Sequence, residues 1–454
     1  MIISIIQKSQ LEGAMRLDAE YYQPEYLEIS RKIKTVSFKT LGEISDRVVS
    51  FGAYSLTNFI EWKKTGGVPF IVAGNIGEGF INYEGVRYIT KTSDEVLKKS
   101  RVQEGQVLLA MSGSVGNTAV AVNIPPRLNS NQDIVKITPK EGISPYFLAA
   151  FLNSKYGKKQ VLRLPVGSVQ QHIFLWQIKS LLIPSFSQNK TEEIEKIYKR
   201  SLLELSDSKK YYSQAEDLLL EELGLAEEEF KNELSYVVDF SDVRSASRID
   251  AEHFQPKYKK LISKIKTKNP KLLLNVAENV PAEFRPQTQP ERAFKYVALA
   301  NINSLIGTVD GSKEVLGKEA PSRAKRILKT GDIIVSSIEG SLKKTALISK
   351  EQEGYLASTG FFQFRSEKIL PEVLLVLAKS VVLQLQFKKY VIGTILAAVP
   401  QNSLAKIVIP ILPKPTQQKI ANLVRQSHEA RRKSKQLLEK AKKEVEEMIE
   451  KGRK

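Results

Sequence analysis

The chain has 454 residues, and its 69 Lys and Arg against 50 Asp and Glu give a formal net charge of +19 at pH 7. It has no cysteine and three histidines, which excludes disulfide scaffolds, thiol catalysis and Cys-based metal sites, and we expect no metal centre. The length indicates two to four domains, and so large a basic excess favours a nucleic-acid partner over charge that serves solubility alone.

The first residues have no basic segment before a short apolar run, which is not typical of a signal peptide. The most apolar stretch, 370–387, contains Glu372, Lys379, Gln384 and Gln386, and we interpret it as a buried helix rather than a membrane span. With no cysteine and no export signal, the chain is expected in the cytoplasm.

The chain contains an internal repeat. Arg16–Tyr26 (RLDAEYYQPEY) recurs 232 residues later as Arg248–Tyr258 (RIDAEHFQPKY). Gly105–Leu109 recurs at an offset of 226 as Gly331–Val335, so the second copy lacks six residues somewhere between 34 and 105. Because the period far exceeds that of solenoid repeats, each copy should fold as its own domain.

The middle of each copy predicts a mixed domain. Gln106–Ser112 and Thr118–Val122 are apolar runs around a Gly-Ser-Val-Gly turn, and 332–348 repeats this strand–turn–strand pattern. Helices are predicted over Pro145–Leu152, with a continuation to Leu164, and over Pro371–Tyr390. The two copies match in sequence at their ends and diverge in their middles. This predicts a shared scaffold with two different surfaces. Neutral drift after duplication is the alternative.

Each copy ends in a predicted long helix with a heptad seam, and each seam position of the second lies 226 residues after its counterpart. Arg431 interrupts the seam, and we expect it at the seam edge. Two matching stripes in one chain favour an antiparallel intramolecular pair of roughly 50 Å, with a homodimeric coiled coil as the alternative. The predicted seam residues are Ile194, Tyr198, Leu205, Tyr212, Leu219, Ile420, Val424, Leu438 and Val445.

We therefore predict an α+β fold with two tandem, pseudo-symmetric domains joined by two long antiparallel coiled-coil helices. The expected segments are a repeated N-terminal segment, a recognition domain and a coiled-coil helix in each copy. Their ranges are 1–35, 36–189 and 190–233 in the first copy, and 234–267, 268–414 and 415–454 in the second.

No catalytic motif is present. The sequence has no G-x-G-x-x-G, no G-x-x-x-x-G-K-[ST] and no H-E-x-x-H, and Ile124–Arg127 lacks the polar and aromatic residues of a base-methylating site. The acidic pairs Asp18/Glu20 and Asp250/Glu252 precede predicted helices, where compensation of the helix N-terminus is favoured over acid–base catalysis. A self-sufficient enzyme is therefore not expected.

Taken together, the repeated Arg16–Tyr26 segment, the domain endings and the paired helices resemble the specificity (S) subunit of type I restriction–modification systems. The endings are Gly167–Gln171 before Ile183–Pro184 in the first copy, and Gly393 before Ile409–Pro413 with Thr416–Ile420 in the second. The first ending, IPSFSQ, departs further from the family pattern than the second. The resemblance covers essentially the whole chain.

This resemblance implies that each domain reads one half of a bipartite, asymmetric DNA site and that the helices are a spacer and a docking site for two methyltransferase subunits. S-adenosylmethionine, ATP and Mg are then expected in the partner subunits, which include restriction subunits in complexes that cleave DNA, and no cofactor is expected in this chain.

Candidate DNA contacts are chosen by residue type, because Lys and Arg suit phosphates and Arg, Asn, Gln and Ser suit base edges. The candidates in the first copy are Ser112, Ser114, Asn117, Arg127, Asn129, Asn131, Gln132, Gln170 and Gln171, and those in the second are Arg323, Lys325, Arg326, Lys343, Lys344 and Gln401. Two alternatives stay open: a nucleic-acid-binding protein without sequence preference, and a coiled-coil scaffold.

Overall fold

The computed structural model describes residues 4–9, 11, 16–51, 54–166 and 173–452. The chain forms two compact units: unit 1 comprises Met1–Leu205 and Arg432–Lys454, and unit 2 comprises Ser206–Arg431. The division passes through both long helices, so each unit contains a part of each helix. No helix in the described ranges combines the length and the apolarity needed to cross a membrane.

Unit 1 contains ten strands in the described residues. They are β1 (Phe38–Thr40), β2 (Ser45–Val49), β3 (Trp62–Lys63), β4 (Val68–Ile71), β5 (Arg87–Ile89), β6 (Val107–Ala110), β7 (Thr118–Val120), β8 (Asn129–Ser130), β9 (Ile134–Pro139) and β10 (Leu182–Pro184). One sheet has the order β2-β9-β6-β7, a second has the order β3-β5-β4-β8, and β1 pairs with β10. All pairs are antiparallel except β4 with β8.

The helices that begin in unit 1 are α1 (Pro24–Ile33), α2 (Lys91–Val96), α3 (Pro145–Asn153), α4 (Lys155–Leu162), α5 (Leu175–Lys179) and α6 (Gln188–Leu223). The predicted helix over 145–164 is thus two helices. Ser154 separates them, since its hydroxyl donates to the Phe151 carbonyl (2.6 Å) and accepts from the Gly157 N–H (3.3 Å) as the N-cap of α4. The local serine therefore interrupts the apolar periodicity.

Unit 2 contains twelve strands in the described residues. They are β11 (Pro270–Leu272), β12 (Glu278–Asn279), β13 (Ala293–Val297), β14 (Ile302–Asn303), β15 (Thr308–Val309), β16 (Lys313–Leu316), β17 (Arg326–Ile327), β18 (Ile333–Ser336), β19 (Thr345–Leu347), β20 (Leu356–Ala357), β21 (Phe361–Arg365) and β22 (Val408–Pro410). Its sheets have the orders β12-β21-β18-β19 and β16-β13-β20-β17, with β11–β22 and β14–β15 as separate pairs.

The helices of unit 2 are α7 (Phe240–Ala246), α8 (Pro256–Lys266), α9 (Leu273–Val276), α10 (Pro371–Lys379) and α11 (Val381–Tyr390), followed by α12 (Lys414–Lys451), which continues into unit 1. Ser380 separates α10 from α11 as Ser154 separates α3 from α4, because its hydroxyl accepts from the Val382 N–H (3.2 Å). The predicted helix over 371–390 is therefore also two helices.

The two divergent middles share one topology. The order β2-β9-β6-β7 in unit 1 corresponds to β12-β21-β18-β19 in unit 2, and β4 and β13 each have one antiparallel and one parallel neighbour. A turn after β4 and β13 is also common to both: the Asn75 side chain accepts from the Val72 N–H (2.9 Å), and the Asn301 side chain accepts from the Ala298 N–H (2.8 Å). The offset at this turn is 226, which places the length difference between β2 and β4.

The repeated Arg-x-Asp sequence forms the same ion pair in each unit. Arg16 contacts Asp18 at 2.5 Å and also donates to the Leu164 carbonyl at 2.8 Å. Arg248 contacts Asp250 at 2.7 Å and donates to the Val391 carbonyl at 3.0 Å. The hydrogen bond from the arginine is the main reason why the pKa of each aspartate is lowered. An arginine, rather than a helix N-terminus, is thus the principal partner of each aspartate.

The helices α6 and α12 pair in an antiparallel way. In unit 2, the Ser427 hydroxyl donates to the Ser208 carbonyl at 2.6 Å, and Thr416 donates to Glu222 at 3.1 Å. In unit 1, Glu204 forms a salt bridge with Lys433 at 2.8 Å. The pairing residue numbers fall along one helix as they rise along the other. The predicted fold class, two α+β domains with two long antiparallel helices, is therefore confirmed.

The seam residues are buried in the core of the unit that contains them. Ile194, Tyr198, Leu205, Leu438 and Val445 lie in the core of unit 1, and Tyr212, Leu219, Ile420 and Val424 lie in that of unit 2.

The seam also contacts the globular parts of the units. The Tyr198 hydroxyl donates to the Gly79 carbonyl in unit 1 (2.8 Å). Arg431 is not at the seam edge as expected: it is buried and forms a salt bridge with Asp310 of unit 2 (2.6 Å). The buried carboxylate contact accounts for an arginine in an apolar seam.

Candidate nucleic-acid interface

The turn between β6 and β7 presents Ser112 and Ser114 at the surface of unit 1, where both are partly exposed. Gly113 (φ +59°) and Gly116 (φ +84°) adopt the left-handed conformation that this turn requires. Asn117 has a structural role at its end, because its amide donates to the Ile76 carbonyl (3.2 Å) and accepts from Lys158 (3.2 Å). The two serines are thus free to reach a ligand, whereas Asn117 is largely engaged.

Asn129 contradicts its predicted role in DNA contact. It has no exposed surface, its amide N–H donates to Asp94 (2.9 Å), and its amide oxygen accepts from the Ser100 hydroxyl (2.6 Å). It is therefore part of the packing beneath the surface. Arg127 is exposed, but Asp94 and Glu95 accept from its guanidinium at 3.2 and 2.9 Å, so two carboxylates offset its charge.

The loop between β8 and β9 holds the next two candidates. Asn131 donates from its backbone N–H to the Ile71 carbonyl (3.0 Å) and from its side chain to Asp133 (2.9 Å), while Gln132 is partly exposed. The Met111 N–H donates to the Asp133 carbonyl at 2.8 Å, which holds this loop beside the β6–β7 turn. Gln170 and Gln171 lie outside the described residues.

Arg323 and Lys325 of unit 2 are exposed, and so are Lys343 and Gln401. Arg326 is not available to DNA: only 5 % of it is exposed, and its guanidinium donates to the Val280 carbonyl at 2.5 Å. Burial lowers the pKa of Arg326 to about 10. The prediction of DNA contact is therefore wrong for this residue.

Lys344 is partly buried, and its ammonium donates to the Ile302 carbonyl (3.0 Å), which gives it a structural role in unit 2.

Backbone hydrogen bonds bring four loops of unit 2 together at one edge. The Thr359 N–H donates to the Arg323 carbonyl (2.8 Å), and the Ser337 N–H donates to the Gly360 carbonyl (2.9 Å). The Val399 N–H in turn donates to the Ser337 carbonyl (2.8 Å). The loops that carry Arg323, Lys325, Lys343 and Gln401 are therefore neighbours, although the residues are up to 78 positions apart in the sequence.

Two apolar residues at this edge were missed by the sequence reading. Ile392 and Ala398 form an isolated antiparallel bridge, and between them Ile395 is 94 % exposed and Leu396 is 73 % exposed. Gly393 (φ +106°) begins this short loop. The sequence does contain a signal for Ile395 and Leu396: they are apolar residues that closely follow Gly393, a glycine that occurs in both copies.

No group of three or more His, Asp or Glu that could hold a metal ion occurs in the ranges that the structure describes. The buried His253 contacts the backbone carbonyl of Lys389 (2.9 Å), and the partly buried His428 contacts that of Ile306 (2.8 Å). Burial lowers the pKa of both imidazoles, so both are neutral at pH 7.

Comparison with solved structures gives low similarity over nearly the whole length. The S subunit of a type I restriction–modification system from M. genitalium is 13 % identical, with 92 % of this chain and 95 % of that chain covered and a TM-score of 0.42. The HsdS subunit from Thermoanaerobacter tengcongensis is also 13 % identical, with 92 % and 97 % covered and a TM-score of 0.30. No protein with a curated description matches the chain.

A protein-family model matches part of the chain. Residues 33–201 match the type I restriction modification DNA specificity domain. This range contains β1 to β10, the loops that carry Ser112 to Gln132 and the start of α6. This part of the chain is therefore similar to the type I restriction modification DNA specificity domain.

Proposed function

We propose that this chain is the DNA sequence-recognition subunit of a type I restriction–modification complex, with each unit reading one half of a bipartite, asymmetric site. The single observation that carries this proposal is that unit 2 repeats the topology of the matched specificity domain with different surface residues. At the turn between the equivalent strand pairs β6/β7 and β18/β19, unit 1 presents Ser112 and Ser114, whereas unit 2 presents Lys343. Two readers with one scaffold and different side chains favour two different half-sequences.

Duplex binding tests this proposal for unit 2. We expect R323A/K325A to weaken binding and to lower the salt dependence, since each lost phosphate contact removes about 0.9 from the slope of log K against log salt. The matched control is K266A/K268A, which removes two exposed lysines of the same unit. Equal affinity of R323A/K325A and the control, at every salt concentration, would contradict the proposed contact.

The helices α6 and α12 are proposed as a spacer between the two half-sites. Support comes from the 36 residues of α6, which at 1.5 Å rise per residue correspond to about 54 Å. One turn of DNA spans roughly 34–36 Å, so a helix of this length suits half-sites that are more than one turn apart.

We further propose that two methyltransferase subunits dock on the repeated segments and the helices. Both copies expose apolar residues at equivalent positions: Leu17 and Ile249 are 86 % and 90 % exposed, and Ile5 and Val237 are 95 % and 97 % exposed. Equivalent apolar positions in two copies favour two copies of one partner.

The subunit itself is proposed to perform no chemistry. Methyl transfer with S-adenosylmethionine and cleavage with ATP and Mg belong to the methyltransferase and restriction subunits in this account.

Reconstitution with the methyltransferase subunit tests the docking. L17D and I249D should each lose one bound copy in native mass spectrometry, while V96D, at a partly exposed valine of unit 1, should keep both. Two bound copies in all three variants would contradict docking at these positions.

Duplex binding separates the two alternative functions. A chain that binds random duplex as tightly as its own site would be a nucleic-acid-binding protein without sequence preference. A chain that binds no duplex even with its partner would be a scaffold.

A further inference from the structure

A cleft of about 560 Å³ lies in unit 2 beside the repeated segment that precedes α8. The end of α11 and the turn after Val399 complete its wall. Four cations line it: Arg248, Lys259, Lys389 and Lys406. So many positive groups around one concave surface repel each other unless carboxylates or a bound anion compensate them.

Two carboxylates, Asp242 in the wall of the cleft and Asp250 beside Arg248, compensate two of these four charges. Asp250 contacts Arg248 at 2.7 Å, and Asp242 contacts Lys259 at 2.8 Å. Lys389 and Lys406 have no ion pair and no side-chain hydrogen bond with any residue that the structure describes. Lys389 is also partly buried, and burial followed by the nearby charge of Lys259 lowers its pKa. Lys389 lies over the Tyr390 ring, 5.6 Å from its centroid, which is a cation–π contact and not an ion pair. Two positive charges of the cleft are thus left without a carboxylate in contact.

Neutral donors complete the lining. Ser245, Asn402 and Ser403 also belong to the wall of the cleft. Hydroxyl and amide donors beside lysines are the groups that proteins use to bind phosphate oxygens. These donors suit a phosphate better than a carboxylate, because a phosphate has more oxygens than the two of a carboxylate.

The equivalent cleft of unit 1 does not repeat this set. Leu27 and Ser180 stand there at the positions of Lys259 and Lys406. Arg163 stands at the position of Lys389, but it donates to the Tyr21 carbonyl (2.6 Å) and to the Ser30 hydroxyl (3.1 Å). The other lining cations of that cleft, Arg31 on α1 and Lys34 directly after it, are exposed. The fold that the two units share therefore does not require unpaired cations in this cleft.

We propose that the cleft of unit 2 binds a phosphate group through Lys389 and Lys406. The phosphate is either one of a DNA backbone or a free inorganic ion, since the same donors recognise both. Gln401, an exposed candidate for DNA contact, directly precedes Asn402 and Ser403 of the cleft, which favours the DNA backbone as the source. Binding of inorganic phosphate does not depend on the proposed reading of sequence.

Titration of the full chain with inorganic phosphate, followed by ³¹P NMR, tests the site. We expect saturable binding by the wild type, at least a tenfold loss of affinity in K389M/K406M, and no loss in K266M/K268M, which removes two exposed lysines of the same unit. K389R/K406R keeps both charges and should keep binding, which gives a second measurement if the methionine variant does not fold.

A duplex-binding arm separates the two sources. If the site takes a backbone phosphate, K389M/K406M weakens binding to specific and random duplex by the same factor; if it takes only free phosphate, duplex binding equals that of the control. Absence of saturable phosphate binding together with unchanged duplex binding in K389M/K406M would overturn the proposal. Phosphate binding by a wild type that binds no duplex would contradict the proposed function and leave the phosphate site in place.

Discussion

Lys136 shows how a single buried charge affects the stability of unit 1. It has no exposed surface, lies on β9, and its ammonium contacts only the Ser130 hydroxyl, at 3.0 Å, among the described side chains. Burial without a counter-ion disfavours the charged form, and it lowers the pKa of Lys136 to about 7.

Stability should therefore rise with pH through this residue. An unfolded lysine keeps its proton up to a pH near 10.5, whereas the folded one loses it near 7, so the unfolded chain binds one more proton between these values. The free energy of unfolding then increases by up to about 1.4 kcal/mol per pH unit. Urea unfolding of wild type at pH 7 and 9 should show a gain of about 2 kcal/mol that K136M lacks.

The control for this prediction is K140M, at an exposed lysine that follows β9. It should keep the pH dependence of the wild type. A K136M variant with the wild-type slope would show that Lys136 is charged in the folded protein.

Residue types alone did not separate surface from core at the candidate site. Asn129 and Arg326 were chosen because Asn and Arg suit base edges, yet both are buried. The partner of Asn129 is Asp94, 35 residues earlier, and that of Arg326 is the carbonyl of Val280. Such distant partners depend on strand pairing that local sequence patterns do not contain. Arg323 and Lys343 are exposed, and their contact with DNA stays a prediction.

At the scale of elements, small residues allow α6 and α12 to approach closely. Ser208 and Ser427 are fully buried in unit 2, where the Ser427 hydroxyl donates to the Ser208 carbonyl at 2.6 Å. A larger side chain at either position would have to push the helices apart, because cores of this density leave no room for added methylene groups.

S427L should therefore destabilise unit 2 by about 1–3 kcal/mol, the cost of overpacking a core. S427A removes one hydrogen bond without adding volume and should cost only about 1 kcal/mol. Denaturant unfolding of the two variants and the wild type measures the difference. An S427L variant as stable as S427A would mean that the helices are not held at the distance seen here.

The long helices were predictable because a heptad pattern of more than 30 residues is a strong local signal. The smaller elements were less so. Ser154 and Ser380 each divide a predicted helix in two by capping the second half, and the apolar residues on both sides gave no sign of the break. The strand orders also required pairing between distant segments, such as β1 with β10.

At the scale of the whole molecule, the internal repeat gives two units with one topology. The proposed spacer makes a quantitative prediction from this arrangement. The test inserts seven residues into each helix, after Leu205 in α6 and after Arg431 in α12. An insertion of one heptad keeps the heptad phase of each unit. The helices would lengthen by about 10 Å, or roughly 3 base pairs of DNA.

We expect the insertion variant to methylate a site with the same two half-sequences and a longer gap, as measured by sequencing of modified bases. The control is insertion into α6 alone, which shifts the pairing with α12 and should abolish activity. An unchanged gap in an active double-insertion variant would contradict the spacer role.

The most direct test of the central claim is a map of modified bases in cells that contain the methyltransferase subunit, with and without this chain. We predict methylation at one asymmetric sequence of two parts with a fixed gap, and loss of this methylation when the chain is absent. We further predict that R323A/K325A lowers the extent of methylation at this site and leaves both parts of the sequence unchanged, because the two residues of unit 2 are proposed to contact phosphates. Methylation that is unchanged without the chain, or a site that is palindromic and undivided, would contradict the account.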